Sequence, residues 1–345
     1  MIKVLMVGPA RNVKGGMTTV VDNYYEYGLN EKVVLKYIET INDKNKISKF
    51  IKEIKGILEY KKNIDDFDII HIHMASRRST YRKIKYIKIA KKHNKKIVLH
   101  VHGGGFKKFY DEECTTSQRK HIRRWLKEVD RIIVLSDVWK EYFNKILNYE
   151  KIEVIYNGVK ANNIKYNFDK KDKLLFVGRI NKEKGIYDLL EAMKIIIERF
   201  PKIELNVCGT GDNLQKIIKK LNLTTNINLK GWLNKKEIDE EMKNSTIFIL
   251  PSYYEAMPMS ILEAMSHGNA VISTRVGSIP TIIKDKNNGI LINPGNKDEL
   301  LTSIYQLLEN KKLKEKISKN ALKTISNKFS IDINIEKLVE IYENI

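Results

Sequence analysis

The sequence has 345 residues, 42% of them hydrophobic, which exceeds one ordinary core and fits two domains. Its two cysteines, Cys114 and Cys208, lack metal-ligand spacing and are too few for a disulfide scaffold to be expected, and a reducing compartment is expected. Lys and Arg outnumber Asp and Glu by 63 to 42, a net charge of +21. Within residues 1–165 lie 35 of the basic and 19 of the acidic residues. That surplus suits an anionic partner for the first half, or simply a lysine-solvated surface. No apolar run approaches the roughly 20 residues that span a bilayer. Residues 1–8 read as a buried strand rather than a leader. A cytoplasmic chain, or one held at the inner face of a membrane, is expected.

Short apolar runs alternate with longer amphipathic stretches, the pattern of parallel sheets flanked by helices. Strands are predicted over 2–7, 68–73, 96–102, 131–135 and 153–156, with helices between them such as 81–93 and 118–129. After a polar stretch at 160–173, read as a linker, the alternation restarts. Strands follow over 173–177, 204–208, 226–229, 246–250, 270–274 and 290–292, with helices over 185–200, 213–221 and 235–242. Three further helices are predicted near 297–309, 311–327 and 331–345, the last with no strand left to partner.

In open α/β sheets ligands sit at the carboxyl ends of strands. The first such loop, Gly8 to Thr19, places Gly15-Gly16 before a helix start, where amides can approach a phosphate. It is neither a Walker loop nor Gly-x-Gly-x-x-Gly. At the end of the 96–102 strand, His100 and His102 share a face and His102 precedes Gly103-Gly104-Gly105. His71 and His73 alternate likewise and read as structural. Neither pair has a carboxylate or cysteine at ligand spacing, so no metal is expected.

In the second half, Gly178-Arg179 and Lys184-Gly185 follow a strand, and the two cations suit a diphosphate. The fullest signal runs from Pro251 through Glu255, Pro258 and Glu263 to Gly268. Pro258 suits a first helical turn, Gly268 a helix stop. Glu255 precedes the helix and Glu263 lies about one turn into it, each able to accept two hydroxyls of a sugar or ribose. The amides of Met259 and Ser260 are placed to hold a phosphate.

Together Gly178-Arg179, Lys184-Gly185, Glu255, Glu263, Gly268, Tyr156-Asn157-Gly158-Val159 and Gly289 to Gly295 resemble the nucleotide-sugar glycosyltransferases of family four. The resemblance covers the C-terminal half nearly continuously. In the N-terminal half it rests on Gly15-Gly16 and His102-Gly103. It implies the GT-B fold, two Rossmann-like domains facing across a cleft. Residues 1–165 would bind the acceptor, 166–328 the nucleotide-sugar, and a helix over 329–345 would cross back to the first domain. By the same resemblance Arg179 and Lys184 bind the donor diphosphate, Glu263 holds the ribose and Glu255 contacts the transferred sugar. His102 lies by that sugar, and Gly16 approaches the phosphate or acceptor. Many relatives have Glu-Gly-Phe-Gly where this chain has Glu255-Ala256-Met257-Pro258. Pro258 removes an amide and shifts phosphate binding to Met259 and Ser260. Where relatives often have Gly-Gly-x-Pro-Glu, this chain has Gly277-Ser278-Ile279-Pro280-Thr281.

The resemblance further implies retention at the anomeric carbon, a basic pair in place of a metal, and no cofactor. The expected donor is a UDP-sugar, and the expected acceptor a lipid-linked saccharide of a bacterial surface polysaccharide or capsule. The stretch from Arg77 to Lys88 interleaves cations with Tyr and Ile, consistent with an interfacial helix on an anionic membrane. A sugar-nucleotide epimerase on the same fold is the alternative. A nucleic-acid-binding protein would leave Glu255 and Glu263 unexplained, and no nucleic-acid motif is present.

Overall fold

The computed structural model describes residues 1–43, 45–162 and 171–345. It divides into two compact units, Met1–Gly158 with Ile331–Ile345, and Val159–Ser330. The expected boundary at 165/166 lies outside the described residues, as does most of the 160–173 linker. Among the described residues, no helix is long and apolar enough to cross a membrane.

In the first unit, β1 (Lys3–Gly8), β2 (Val34–Glu39), β3 (Ile69–Met74), β4 (Lys96–Val101), β5 (Arg131–Val134) and β6 (Ile152–Val154) form one sheet. The order is β2-β1-β3-β4-β5-β6 and every neighbouring pair is parallel. The inner strands are buried on both faces and are largely apolar, with His71, His73 and His100 among the buried residues of β3 and β4. The edge strand β2, with Lys36 and partly exposed residues, lacks that signature and was not predicted. One face of the sheet packs Ile70, Ile72, Met74, Leu99 and Val101 against Ile84, Ile87, Phe106 and Phe143.

The helix Ile331–Glu343 belongs to this first unit. Asn334 Nδ2 donates to Tyr156 O at 2.6 Å, and Asn23 Nδ2 donates to Gly158 O at 3.1 Å. A Cβ at Gly158 would meet Asn334 Nδ2 at 2.2 Å and Ile331 Cα at 2.9 Å, so the helix reaches this seat only because residue 158 is glycine. Residues 331–345 bring four acids and one lysine, so the first unit carries +11 and the second +10. The basic surplus read over residues 1–165 is thereby shared between the units.

The basic stretch from Arg77 to Lys88 forms most of the helix Arg78–Lys92. It buries Thr80, Lys83, Ile84, Tyr86, Ile87 and Ala90, so its apolar side faces the core rather than an interface. Lys83 Nζ donates to Thr40 Oγ1 at 2.9 Å, and burial holds its pKa far below the usual lysine value.

The second unit repeats the scheme. β7 (Leu174–Val177), β8 (Leu205–Cys208), β9 (Ile227–Gly231), β10 (Ile247–Leu250), β11 (Ala270–Thr274) and β12 (Ile290–Ile292) are ordered β12-β11-β10-β7-β8-β9, all parallel. The helix Ile186–Arg199 turns Ile186, Leu189, Leu190, Met193 and Ile196 inward at helical spacing. From β7 the chain winds outward through β8 and β9, then returns to β10 on the other side. The order therefore reverses between β7 and β10, and a crevice opens at the carboxyl ends of these two strands.

Candidate active site

The loops after β7 and β10 hold three of the expected donor residues, Arg179, Lys184 and Glu255. Beyond β7, Ile180 N donates to Thr210 O at 3.0 Å and Asp212 N to Ile180 O at 2.8 Å, tying this loop to the one after β8. Asn181 Oδ1 accepts from Lys184 N at 3.1 Å and caps the turn Lys182–Lys184. Gly185 then has φ +71°, and a Cβ there would lie 2.0 Å from Pro251 O. Only glycine meets both demands, and the close approach lays the two loops together. Tyr253 N donates to Glu183 O at 2.8 Å across the same seam.

That packing delivers Lys184 to Glu255, Nζ to Oε1, at 2.5 Å. Ser252 Oγ donates to the same oxygen at 2.9 Å. The Glu255 side chain is 7% exposed and that of Lys184 is 26% exposed, so the pair is largely sheltered from water. Among the described residues only Oε1 is so engaged. The backbone of the Glu255 loop is held from below by Ser278 N, which donates to Ala256 O at 2.8 Å. The Gly277–Thr281 loop thus supports the site through main chain, without a carboxylate at position 281. Arg179 is exposed at the mouth of the β7 loop.

The helix Met259–Ser266 begins directly after Pro258, which stands at the N-cap, and Gly268 follows it at φ +74°. The amides of Met259 and Ser260 are its first two and have no intrahelical acceptor. Glu263 projects from this helix partly buried. Burial raises its carboxyl to about 7, Asp239 adds to the rise and Lys235 opposes it. A proton is therefore shared between solution and this carboxyl near neutrality.

In the first unit the expected residues fall at two strand ends. Gly15 is the N-cap of the helix Gly16–Glu26, which has no side-chain cap at its start. Thr18 Oγ1 donates to Val13 O at 2.7 Å and shapes the loop before it. His102 follows β4, its N donating to Met74 O at 2.8 Å. Strand alternation and the register His73↔His100 set four imidazoles on one face. His71 stacks on His73 at 4.5 Å with 14° between rings, and His100 lies 4.1 Å from His102. His73 Nδ1 is 2.8 Å from His102 Nε2, and His71 Nδ1 is 2.5 Å from the Tyr342 hydroxyl. Burial pushes His71 and His102 down to about 3, and His73 and His100 also fall well below the usual value. All four are neutral at physiological pH.

Nitrogens of His71, His73 and His100 lie within 4.8 Å of one another, close enough to suggest a ligand set. The rings are nearly parallel, at 14°, 25° and 29°, so the three imidazoles form a stack.

Sequence reasoning did not find Ser252, Asn181 or the role of His73. Asn181 was available from its spacing to Lys184, a capping pattern. Ser252 and His73 carry no such local signal.

A family model described as Glycosyltransferase Family 4 matches residues 21–163, and one described as Glycosyl transferases group 1 matches residues 160–324. The chain is 29% identical over 323 residues to the UDP-Gal:alpha-D-GlcNAc-diphosphoundecaprenol alpha-1,3-galactosyltransferase of Escherichia coli. That alignment covers 85% of this chain and 80% of the other. Sucrose-phosphate synthase from Thermosynechococcus elongatus is similar in fold, with a TM-score of 0.84 at 16% identity over 100% and 99% of the two chains. So is HepE of Anabaena in complex with UDP-glucose, with a TM-score of 0.79 at 15% identity over all of both chains. Two parallel six-stranded units with these matches identify the chain as a glycosyltransferase of family four with the GT-B fold.

Proposed function

We propose that the protein transfers a sugar from a nucleoside-diphosphate sugar, a UDP-sugar before others, to a hydroxyl of a lipid-linked saccharide, with retention at the anomeric carbon. The Lys184–Glu255 pair at the β7/β10 crevice is the observation that carries this reading. Lys184 and Arg179 neutralise the leaving diphosphate in place of a metal ion. The amides of Met259 and Ser260 hold its oxygens, Glu263 accepts the ribose hydroxyls, and Glu255 accepts from the transferred sugar. In the first unit His102, neutral throughout the physiological range, positions the sugar, while Gly15 and Gly16 serve the phosphate or the acceptor. The bond from the anomeric carbon to the diphosphate oxygen breaks and that to the acceptor oxygen forms. The acceptor's proton passes to the leaving diphosphate. The lipid-linked acceptor draws support from the diphosphoundecaprenol in the name of the Escherichia coli relative. On this reading the reaction belongs to surface-polysaccharide assembly at the cytoplasmic face of a membrane. Nucleic acid has no part in it.

A panel of nucleotide-sugars, read by thermal shift and by nucleotide release with a polyprenyl-diphosphate-linked saccharide, tests the proposal. UDP-sugars should stabilise the protein, and Glu263→Ala and Lys184→Ala should each abolish that shift. Unchanged shifts in both variants refute the site. Conversion of the nucleotide-sugar without acceptor or nucleotide release would instead identify an epimerase.

A further inference from the structure

The helix Lys46–Asn63 is built inside out. Asn45 caps it, its side chain accepting from Ser48 N at 2.9 Å, and it runs for 18 residues. It turns only Gly56 and Tyr60 fully inward, with Ile57 packed at the edge of the core. Ile47, Phe50, Ile51, Ile54 and Leu58 are 73%, 65%, 46%, 42% and 61% exposed. At 100° per residue these five cover an arc of about 100° on the side opposite Gly56 and Tyr60. An ordinary surface helix turns such a stripe to the core and its charges to water. Here the stripe faces solvent.

Lys55 and Lys62 border the stripe on one side and Lys46, at the helix start, on the other, while Lys61 lies on the stripe's own arc just beyond Leu58; all four are exposed. The helix carries six lysines and two glutamates. Of the glutamates, Glu53 is paired with Lys85 at 2.7 Å, and Glu59 is exposed at the margin. Asp65 and Asp66 lie beyond the helix end.

We infer that this face docks on an anionic lipid bilayer. Five large apolar side chains bordered by lysines fit the boundary between acyl chains and negative headgroups, where the stripe leaves water and the ammonium groups meet phosphate. A protein partner would need its own matching carboxylates. A bilayer supplies the negative field whatever the register. The inference deepens the proposed lipid-linked acceptor by naming the element that holds the enzyme where such an acceptor resides, and it does not depend on the donor pocket.

The test is co-sedimentation of the full chain with phosphatidylethanolamine vesicles containing phosphatidylglycerol, and with phosphatidylcholine vesicles, at low and high salt. The wild type should bind the anionic vesicles at low salt at least tenfold more tightly than the zwitterionic ones, and salt should weaken that binding. Phe50→Ser with Leu58→Ser, and separately Lys55→Glu with Lys61→Glu and Lys62→Glu, should each lower it at least tenfold. Both variants should keep the wild-type thermal shift with UDP, since all the substituted residues belong to the first unit and the proposed nucleotide site to the second. Binding unaffected by either variant overturns the inference. So does a wild type that ignores vesicles, or one that is a dimer which Phe50→Ser with Leu58→Ser dissociates, making the stripe a contact between two copies. Lost UDP response in the wild type would refute the donor site alone.

Discussion

Replacing Glu263 by glutamine should stabilise the second unit in alkaline solution while weakening its hold on nucleotide. Burial lifts this carboxyl from 4.5 to about 7. At about 1.4 kcal/mol per pH unit, the gap corresponds to ~3 kcal/mol against the charged form. The unfolded chain ionises the group near 4.5 and the folded chain near 7. Between these values the folded state binds more protons, so stability falls as pH rises through the window, and the whole penalty stands above it. Glutamine does not ionise. Glu263→Gln should therefore exceed the wild type by ~3 kcal/mol at pH 8.5 and by under about 1 kcal/mol at pH 5. Urea unfolding followed through Trp232, with Trp125 and Trp139 changed to Phe in both proteins, isolates the second unit. UDP affinity, measured by calorimetry on the same variant, should drop at least tenfold, because a residue kept at the expense of stability is kept for its ligand. Equal stability at pH 8.5 would refute the burial argument, and undiminished UDP affinity would refute the ribose role.

Three other outcomes follow from the geometry. Lys184→Met should cost about 1–3 kcal/mol, by leaving the sheltered Glu255 carboxylate without its partner, and adding Glu255→Gln should recover most of it. A coupling below about 0.5 kcal/mol in that double-mutant cycle means the pair is not engaged. Gly185→Ala should destabilise the second unit by at least about 1 kcal/mol and lower donor affinity, since the new Cβ must displace Pro251 O; a neutral variant would count against the seam between the two loops. The four imidazoles, neutral when folded and charged when unfolded, should make the first unit acid-labile. Their folded pKa values are depressed, so stability declines as pH falls below about 6.5, with uptake of roughly three to four protons on unfolding at pH 5.5. An uptake of one proton or fewer, from the pH dependence of unfolding read through Trp125 and Trp139, would show that the stack titrates in the folded state.

The second unit was legible largely because β7, β8, β10 and β11 are buried almost throughout and are mostly apolar. The same holds for the inner strands of the first unit. β2 was not legible, since an edge strand with one buried residue in six carries neither a run nor a clean alternation. The helix Lys46–Asn63 shows why periodicity has a limit. Ile47, Ile51, Ile54 and Leu58 have the spacing of a core-facing stripe, and only the position of the sheet reveals that they point away from it. The reverse occurs in Arg78–Lys92, where a stretch that reads as basic surface sends Lys83 into the interior. In the site, residue types and loops were legible from strand ends and glycines. The pairing of Lys184 with Glu255, 71 positions apart, was not, because it depends on the winding that brings β7 beside β10. The imidazole stack likewise needs the register of His73 with His100, which no single strand encodes.

The return of Ile331–Glu343 to the first unit has a consequence for how the chain is made. The second unit is contiguous, and every residue it needs has been synthesised by Ser330. The first is written in two instalments. Residues 1–158 come first, yet Asn334, seated beside Gly158, and Tyr342, which reaches His71, are synthesised only after the whole of the second unit. Vectorial synthesis would ordinarily let an N-terminal domain mature ahead of its successor. Here the order is inverted: the later domain can reach its native state while the earlier one waits, its histidine face still uncovered, for the helix Ile331–Glu343.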